Sequence, residues 1–98
     1  MDIEKQMDGK KLVVKLIGRL DTETSPLLSD SLDEDLDNVE DLTFDLSELI
    51  YISSAGLRVI LSTQKIMNKQ GTMKLINVQD IVQEVFDATG LSTILTIE

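Results

Sequence analysis

The chain has 98 residues, a formal net charge of −9 at pH 7 and a hydrophobic fraction of 42%, proportions that suit one folded domain rather than a disordered segment. It contains neither cysteine nor histidine, which excludes disulfides, thiol nucleophiles, the usual zinc ligands and the commonest general base. The acidic balance argues against nucleic acid and against anionic membrane surfaces; it permits a partner with a basic contact face, and it is equally explained by solubility alone.

Phe44, Tyr51 and Phe86 are the only aromatic residues, so the core must be aliphatic. No leader with a basic start and an apolar stretch opens the sequence, and no run of about 18 apolar residues occurs. A soluble, cytoplasmic protein is expected.

In chain order, the polar start containing Ile3 reads as a short edge strand, and Asp8-Gly9 is a turn signal. Lys11 to Ile17 reads as a strand with Leu12, Val14 and Leu16 on one face, ended by Gly18. Ser25-Pro26 opens a helix, with Ser25 as its cap and Pro26 at the first helical position. Leu28, Leu32, Leu36 and Val39 follow at helical spacing, while Asp30, Asp33, Glu34 and Asp37 occupy the other faces. That acidic run is a solvated face or, alternatively, a partner contact.

Leu42 to Leu46 reads as a buried strand and Ser47 to Ile52 as a loop. A second helix is expected from Ser54 to Lys69, burying Leu57, Ile60, Leu61 and Met67, with Gly71 as its C-terminal cap. Met73 to Val78 reads as a strand. Gln79 to Ala88 reads as a third helix burying Val82, Val85 and Phe86 and stopped by Gly90, and Thr93 to Ile97 as a last strand. The order predicts an α/β fold. It is a mixed sheet of about five strands with three main helices in a single domain, residues 1–98, its first two strands antiparallel and the rest joined by crossovers.

The strongest local signal is the junction Ser53-Ser54-Ala55-Gly56-Leu57. Small residues crowd the start of a helix that follows a buried strand, and in α/β sheets such loops gather functional groups. A helix N-terminus favours an anion, and Gly56 lets the backbone come close to another surface. The alternative is structural: Ser53 caps the helix, and Ala55 and Gly56 only allow close packing. Catalysis is disfavoured. There is no histidine to serve as base, Ile52 stands two residues before Ser54 where a nucleophile elbow needs glycine, and no Gly-rich loop leads into Lys-Ser or Lys-Thr. No cofactor or metal is expected.

The stretch Asp45-Leu46-Ser47-Glu48-Leu49-Ile50-Tyr51-Ile52-Ser53-Ser54-Ala55-Gly56-Leu57 closely resembles the signature of the STAS domain, the fold of bacterial anti-sigma factor antagonists. Gly18-Arg19-Leu20-Asp21-Thr22, Gly71-Thr72-Met73-Lys74-Leu75 and Phe86-Asp87-Ala88-Thr89-Gly90-Leu91 resemble three further segments of that family, in order and without insertion. The resemblance implies a non-enzymatic switch. The unphosphorylated antagonist binds an anti-sigma factor, often a serine kinase, and a sigma factor is released. The kinase then phosphorylates a serine at the start of the central helix, the complex parts, and a serine phosphatase resets the cycle.

Ser54 matches the phosphorylated position, with Ser53 as the alternative, and Asp21 matches a residue lying beside it. The implied partner face comprises Asp21, Thr22, Ser53, Ser54, Ala55, Gly56, Leu57 and Arg58. Many phosphorylated members carry aspartate where this chain has Ser53. A second reading is therefore a constitutive subunit of a transporter or sensory complex that is not phosphorylated. Nothing in the sequence requires more than a monomer, which is the state expected in solution.

Overall fold

The computed structural model describes residues 1–98. Four strands form one sheet in the order β1-β2-β3-β4: β1 (Asp2–Asp8), β2 (Lys11–Leu20), β3 (Asp41–Ile52) and β4 (Thr72–Ile76). The helices are α1 (Ser25–Asp33), α2 (Ser54–Gln70) and α3 (Asp80–Ala88), with 3₁₀ turns at Leu36–Asn38 and Leu91–Thr93. The β1–β2 pair is antiparallel and both other pairs are parallel, as the turn and crossover lengths require.

Register sets the two faces of the sheet. Leu12, Leu42 and Met73 align across β2, β3 and β4, as do Val14, Phe44 and Leu75, and all six are buried. They meet Leu28 and Leu32 of α1, Ile60 and Met67 of α2, and Val82 and Phe86 of α3 in one core. The opposite face carries charge in rows of alternating sign. Glu4 aligns with Lys15 and Lys15 with Asp45; Asp8 aligns with Lys11 and Lys11 with Asp41. Such cross-strand opposite charges are mutually favourable.

β3 is where sequence and structure diverge most. The expected loop Ser47 to Ile52 is strand, and β2 does not end at Gly18 but continues to Leu20. Lys15 pairs with Asp45, yet Ile17 pairs with Glu48; Gly18 pairs with Leu49, yet Arg19 pairs with Tyr51. Each shift places one extra residue in β3, the definition of a β-bulge. The period-two alternation is reset twice, so the buried residues run Phe44, Leu46, Leu49, Ile52. A pattern with spacings of three does not read as a strand.

Other differences are smaller. The expected Ser25 cap is not found: Thr24 holds the N-cap position of α1 without a side-chain capping bond, its hydroxyl being turned back to Asp21 and Arg19, and Ser25 is already helical and buried. α1 also stops at Asp33, so Leu36 and Val39 reach the core from the 3₁₀ turn and the residue after it. Gln70 Nε2 donates to the Leu36 and Val39 carbonyls at 2.6 Å each, satisfying groups that a continued helix would have paired. β4 stops at Ile76 rather than Val78, and Leu57, Leu61 and Val85 are only half-buried. The expected fifth strand is a 3₁₀ turn followed by a single parallel bridge, Ile97 to Leu75. Gly71 caps α2 as expected, its N–H donating to the Met67 carbonyl at 2.7 Å.

Candidate functional site

β2 and β3 end together at the pair Leu20 and Ile52. The Ser53 N–H donates to the Leu20 carbonyl at 2.9 Å, so the chain leaving β2 at Asp21 and the chain entering α2 at Ser53 are neighbours. The two halves of the expected site, 32 positions apart in sequence, are thereby brought together at the carboxyl ends of the two central strands.

On the α2 side, Ser53 has extended backbone and its Oγ accepts from the Gly56 N–H at 3.3 Å. This is an N-cap. Ser54 is the first helical residue and its side chain is exposed. The early N–H groups of a helix have no intrahelical partner, and the cap takes only that of Gly56. The two serines are thus distinct: one hydroxyl is engaged by the backbone, the other faces solvent at the positive end of a 17-residue helix.

Gly56 is buried against the ends of both strands. A Cβ there would lie 2.8 Å from Leu20 Cγ, 2.9 Å from Ile52 Cγ1 and 3.0 Å from the Leu20 carbonyl oxygen. Only glycine lets α2 start this close to the sheet. Ala55 and Leu57 are half-buried and Arg58 is exposed. Arg58 stands at the rim of a groove between α1 and α2 whose apolar lining includes Leu32, Leu36, Val59 and Ile66.

On the β2 side, Asp21 organises the turn into α1. Its Oδ1 accepts from the N–H groups of Glu23 and Thr24, each at 3.0 Å. The Thr24 hydroxyl accepts from the Asp21 N–H at 2.8 Å and reaches the Arg19 carbonyl at 2.9 Å. These bonds, led by the Thr24 N–H, hold the Asp21 carboxyl below the usual aspartate range, against a smaller opposing effect of burial. Thr22 is exposed on the same turn. The sequence singled out Asp21 but not Thr24; the Asp-Xaa-Xaa-Thr spacing ahead of a proline-marked helix is the signal that could have found it.

Arg19 and Tyr51 were also missed. They are paired across β2 and β3, and the Arg19 guanidinium lies 4.2 Å from the centroid of the Tyr51 ring, within cation–π range. Arg19 also approaches Asp21 Oδ2 at 4.0 Å. Ile50, the extra residue of the second bulge, is exposed beside Tyr51. The site therefore joins an exposed hydroxyl, a carboxylate fixed by its own turn and a small apolar shelf. No group of three or more His, Cys, Asp or Glu residues is arranged to hold a metal, and no helix is long and apolar enough to cross a membrane.

Comparison with known proteins identifies the family and the fold. The family model described as "STAS domain" matches residues 2–98. The chain is 30% identical over 98 residues to the anti-sigma-B factor antagonist of Bacillus subtilis, covering 99% of this chain and 90% of that protein. It is 33% identical over 100 residues to the anti-sigma F factor antagonist of Paenibacillus polymyxa, covering 99% and 86%. Its fold is similar to that of the anti-sigma factor antagonist SpoIIAA in its unphosphorylated form, with a TM-score of 0.86 at 19% identity over 99% of this chain and 88% of that one. The phosphorylated form of SpoIIAA from Bacillus gives 0.78 at 18% identity, covering 99% and 91%. With its length matched almost from end to end, the chain belongs to the STAS domain family.

Proposed function

We propose that this protein is a cytoplasmic anti-sigma factor antagonist, a monomeric binding protein without catalytic activity. It holds an anti-sigma factor that is also a serine kinase, and phosphorylation of Ser54 ends the association. The observation that carries the reading is the division of labour at the start of α2: Ser53 Oγ is engaged as the cap while Ser54 is exposed one residue on. Relatives named as anti-sigma factor antagonists, and a protein of the same fold solved in both phosphorylated and unphosphorylated forms, support it.

The partner face comprises Asp21, Thr22, Ser53, Ser54, Ala55, Leu57 and Arg58; Gly56, expected in it from the sequence, is buried beneath it and sets how close α2 starts to the sheet. A phosphate adds about −1.5 to −2 charges at pH 7, and the helix N-terminus accommodates it without refolding. A partner carboxylate seated on Ser54 would be repelled. At about 4 Å and an effective dielectric near 20, unit like charges cost about 4 kcal/mol. Half of that lowers affinity roughly thirtyfold. A serine phosphatase resets the switch.

The test is intact-mass measurement and peptide mapping after incubation with ATP and each anti-sigma-type serine kinase of the source organism. One added phosphate mapped to Ser54, with loss of kinase binding, is the expected result. No phosphate from any of these kinases on a folded sample overturns the switch and favours a constitutive subunit of a transporter or sensory complex.

A further inference from the structure

We propose that Arg58 is the internal partner of the phosphate on Ser54, holding it across one turn of α2; this rests on the reading that Ser54 is the modified residue. Two observations converge. Ser54 and Arg58 are four residues apart on α2, both exposed, the spacing at which helical side chains meet. And Arg58 is uncommitted. Lys5, Lys10, Lys15, Arg19 and Lys74 each engage a carboxylate, whereas Arg58 makes no ion pair and no side-chain hydrogen bond, in a chain with twice as many acidic as basic residues. Asp33 of α1 lines the same groove but does not pair with it. The other unpaired cations of α2, Lys65 and Lys69, lie 11 and 15 positions beyond Ser54, about three and four turns away.

Guanidinium is suited to the task. Its planar fork donates two parallel hydrogen bonds to phosphate oxygens, and an anion at the first position with a cation four residues later is the favoured order along a helix. Phosphorylation would then do two things at once. It places negative charge on the partner face, and it turns Arg58 from an open donor, available to a carboxylate of the partner, into one half of an internal pair. The negative groups that oppose this pairing are Asp21, across the strand ends from Ser53, and Asp33 on α1.

The test uses the full chain with phosphoserine encoded at position 54, so that no kinase is required. The second ionisation of the phosphate is followed by phosphorus NMR across pH 5 to 8 in wild type, Arg58→Gln and Arg58→Lys. Pairing favours the dianion, so Arg58→Gln should raise the midpoint by about 0.3 pH unit, a roughly twofold change in proton affinity, and Arg58→Lys should restore most of it. Without phosphate, Arg58→Gln should melt with wild type, because the side chain then has no partner. Equal midpoints in wild type and Arg58→Gln overturn the pairing. If the midpoints differ but the phosphoprotein still binds the kinase as tightly as unmodified protein, the pairing stands and the switch falls.

Discussion

Replacing Gly71 by alanine should be among the most damaging conservative changes in the chain. An added Cβ runs into the Glu40 carbonyl oxygen and lies 2.6 Å from the carbonyl carbon and 2.8 Å from Cα. These are backbone atoms and cannot rotate away. Glu40 is also pinned from both sides: its N–H donates to the Lys10 carbonyl at 2.8 Å, and its carbonyl accepts from the Thr72 N–H at 2.9 Å. Shifting it enough to relieve the overlap weakens both bonds, at about 1 kcal/mol each, and residual overpacking adds a further ~1 kcal/mol or more. A loss of about 3 kcal/mol corresponds to a fall in Tm of roughly 12–24 °C for a domain of this size. Thermal denaturation followed by circular dichroism reads it directly. Because Gly71 sits where β4 begins and Ser54 follows the far end of β3, amide NMR shifts should concentrate around Lys10, Glu40 and Thr72. Binding measured well below the new Tm should be unchanged. A variant that melts within 3 °C of wild type would refute the reasoning, since backbone contacts that close leave no inexpensive relaxation.

Gly56→Ala should behave differently, because its clashes with Leu20 and Ile52 are partly offset by the better helix propensity of alanine. A net loss of about 1 kcal/mol is expected, with amide shifts at Ser53 and Ser54 and weaker partner binding in a titration at low temperature. Ser53→Ala removes the acceptor for the Gly56 N–H and should cost about 1 kcal/mol by urea unfolding, whereas Ser53→Asp should keep the cap. Asp21, Asp45 and Asp87 all ionise below the usual range. For Asp21 the Thr24 N–H leads; for Asp45 burial opposes but is outweighed by bonds from Ser47 and Asn77 and by Lys15; for Asp87 the Ser92 hydroxyl leads. A carboxyl whose folded pKa is depressed stabilises the fold above its unfolded value near ~3.9 and loses that contribution as pH falls through the folded value. Urea midpoints should therefore drop below about pH 4, and a midpoint flat from pH 5 to 2 would contradict the hydrogen bonding described. Lys15, raised chiefly by its bond to Glu48, acts in the opposite sense, its contribution disappearing as pH climbs above the ordinary lysine value near ~10.4.

Much of this arrangement is legible in the residues themselves. The alternation of Leu12, Val14 and Leu16, the proline-marked start of α1 and the glycine stop of α2 each carry a local physical cause, and each is found within a residue or two of its expected place. What was not legible depends on non-local pairing. The two bulges of β3 can be recognised only against the register of β2; read alone, Ser47 to Ile52 breaks the strand period and resembles a loop. The last segment is as rich in β-branched residues as a strand, but Leu91 and Leu95 are drawn into the core, which turns the backbone through a 3₁₀ turn and leaves only Ile97 to bridge β4. At the site, the Ser-Ser-Ala-Gly junction was visible as chemistry. Its proximity to Asp21 was implied by the family resemblance but has no local signal in the residues themselves, since it arises from the Leu20 to Ile52 pair; the Arg19 to Tyr51 contact became visible only through the second bulge.

The spatial order of the strands is also their order in the chain. No strand has to be inserted between two that are already paired, so a polypeptide emerging from the ribosome can extend the sheet at one growing edge as each segment appears. Each new edge is exposed only until the next strand arrives. The β4 edge is covered by the segment that follows α3, through the Leu75 N–H to the Thr96 carbonyl and the Glu98 N–H to the Leu75 carbonyl, both at 2.9 Å. On the growing side of the sheet, an unpaired edge is thus open to a neighbouring nascent chain only between the appearance of one segment and the next.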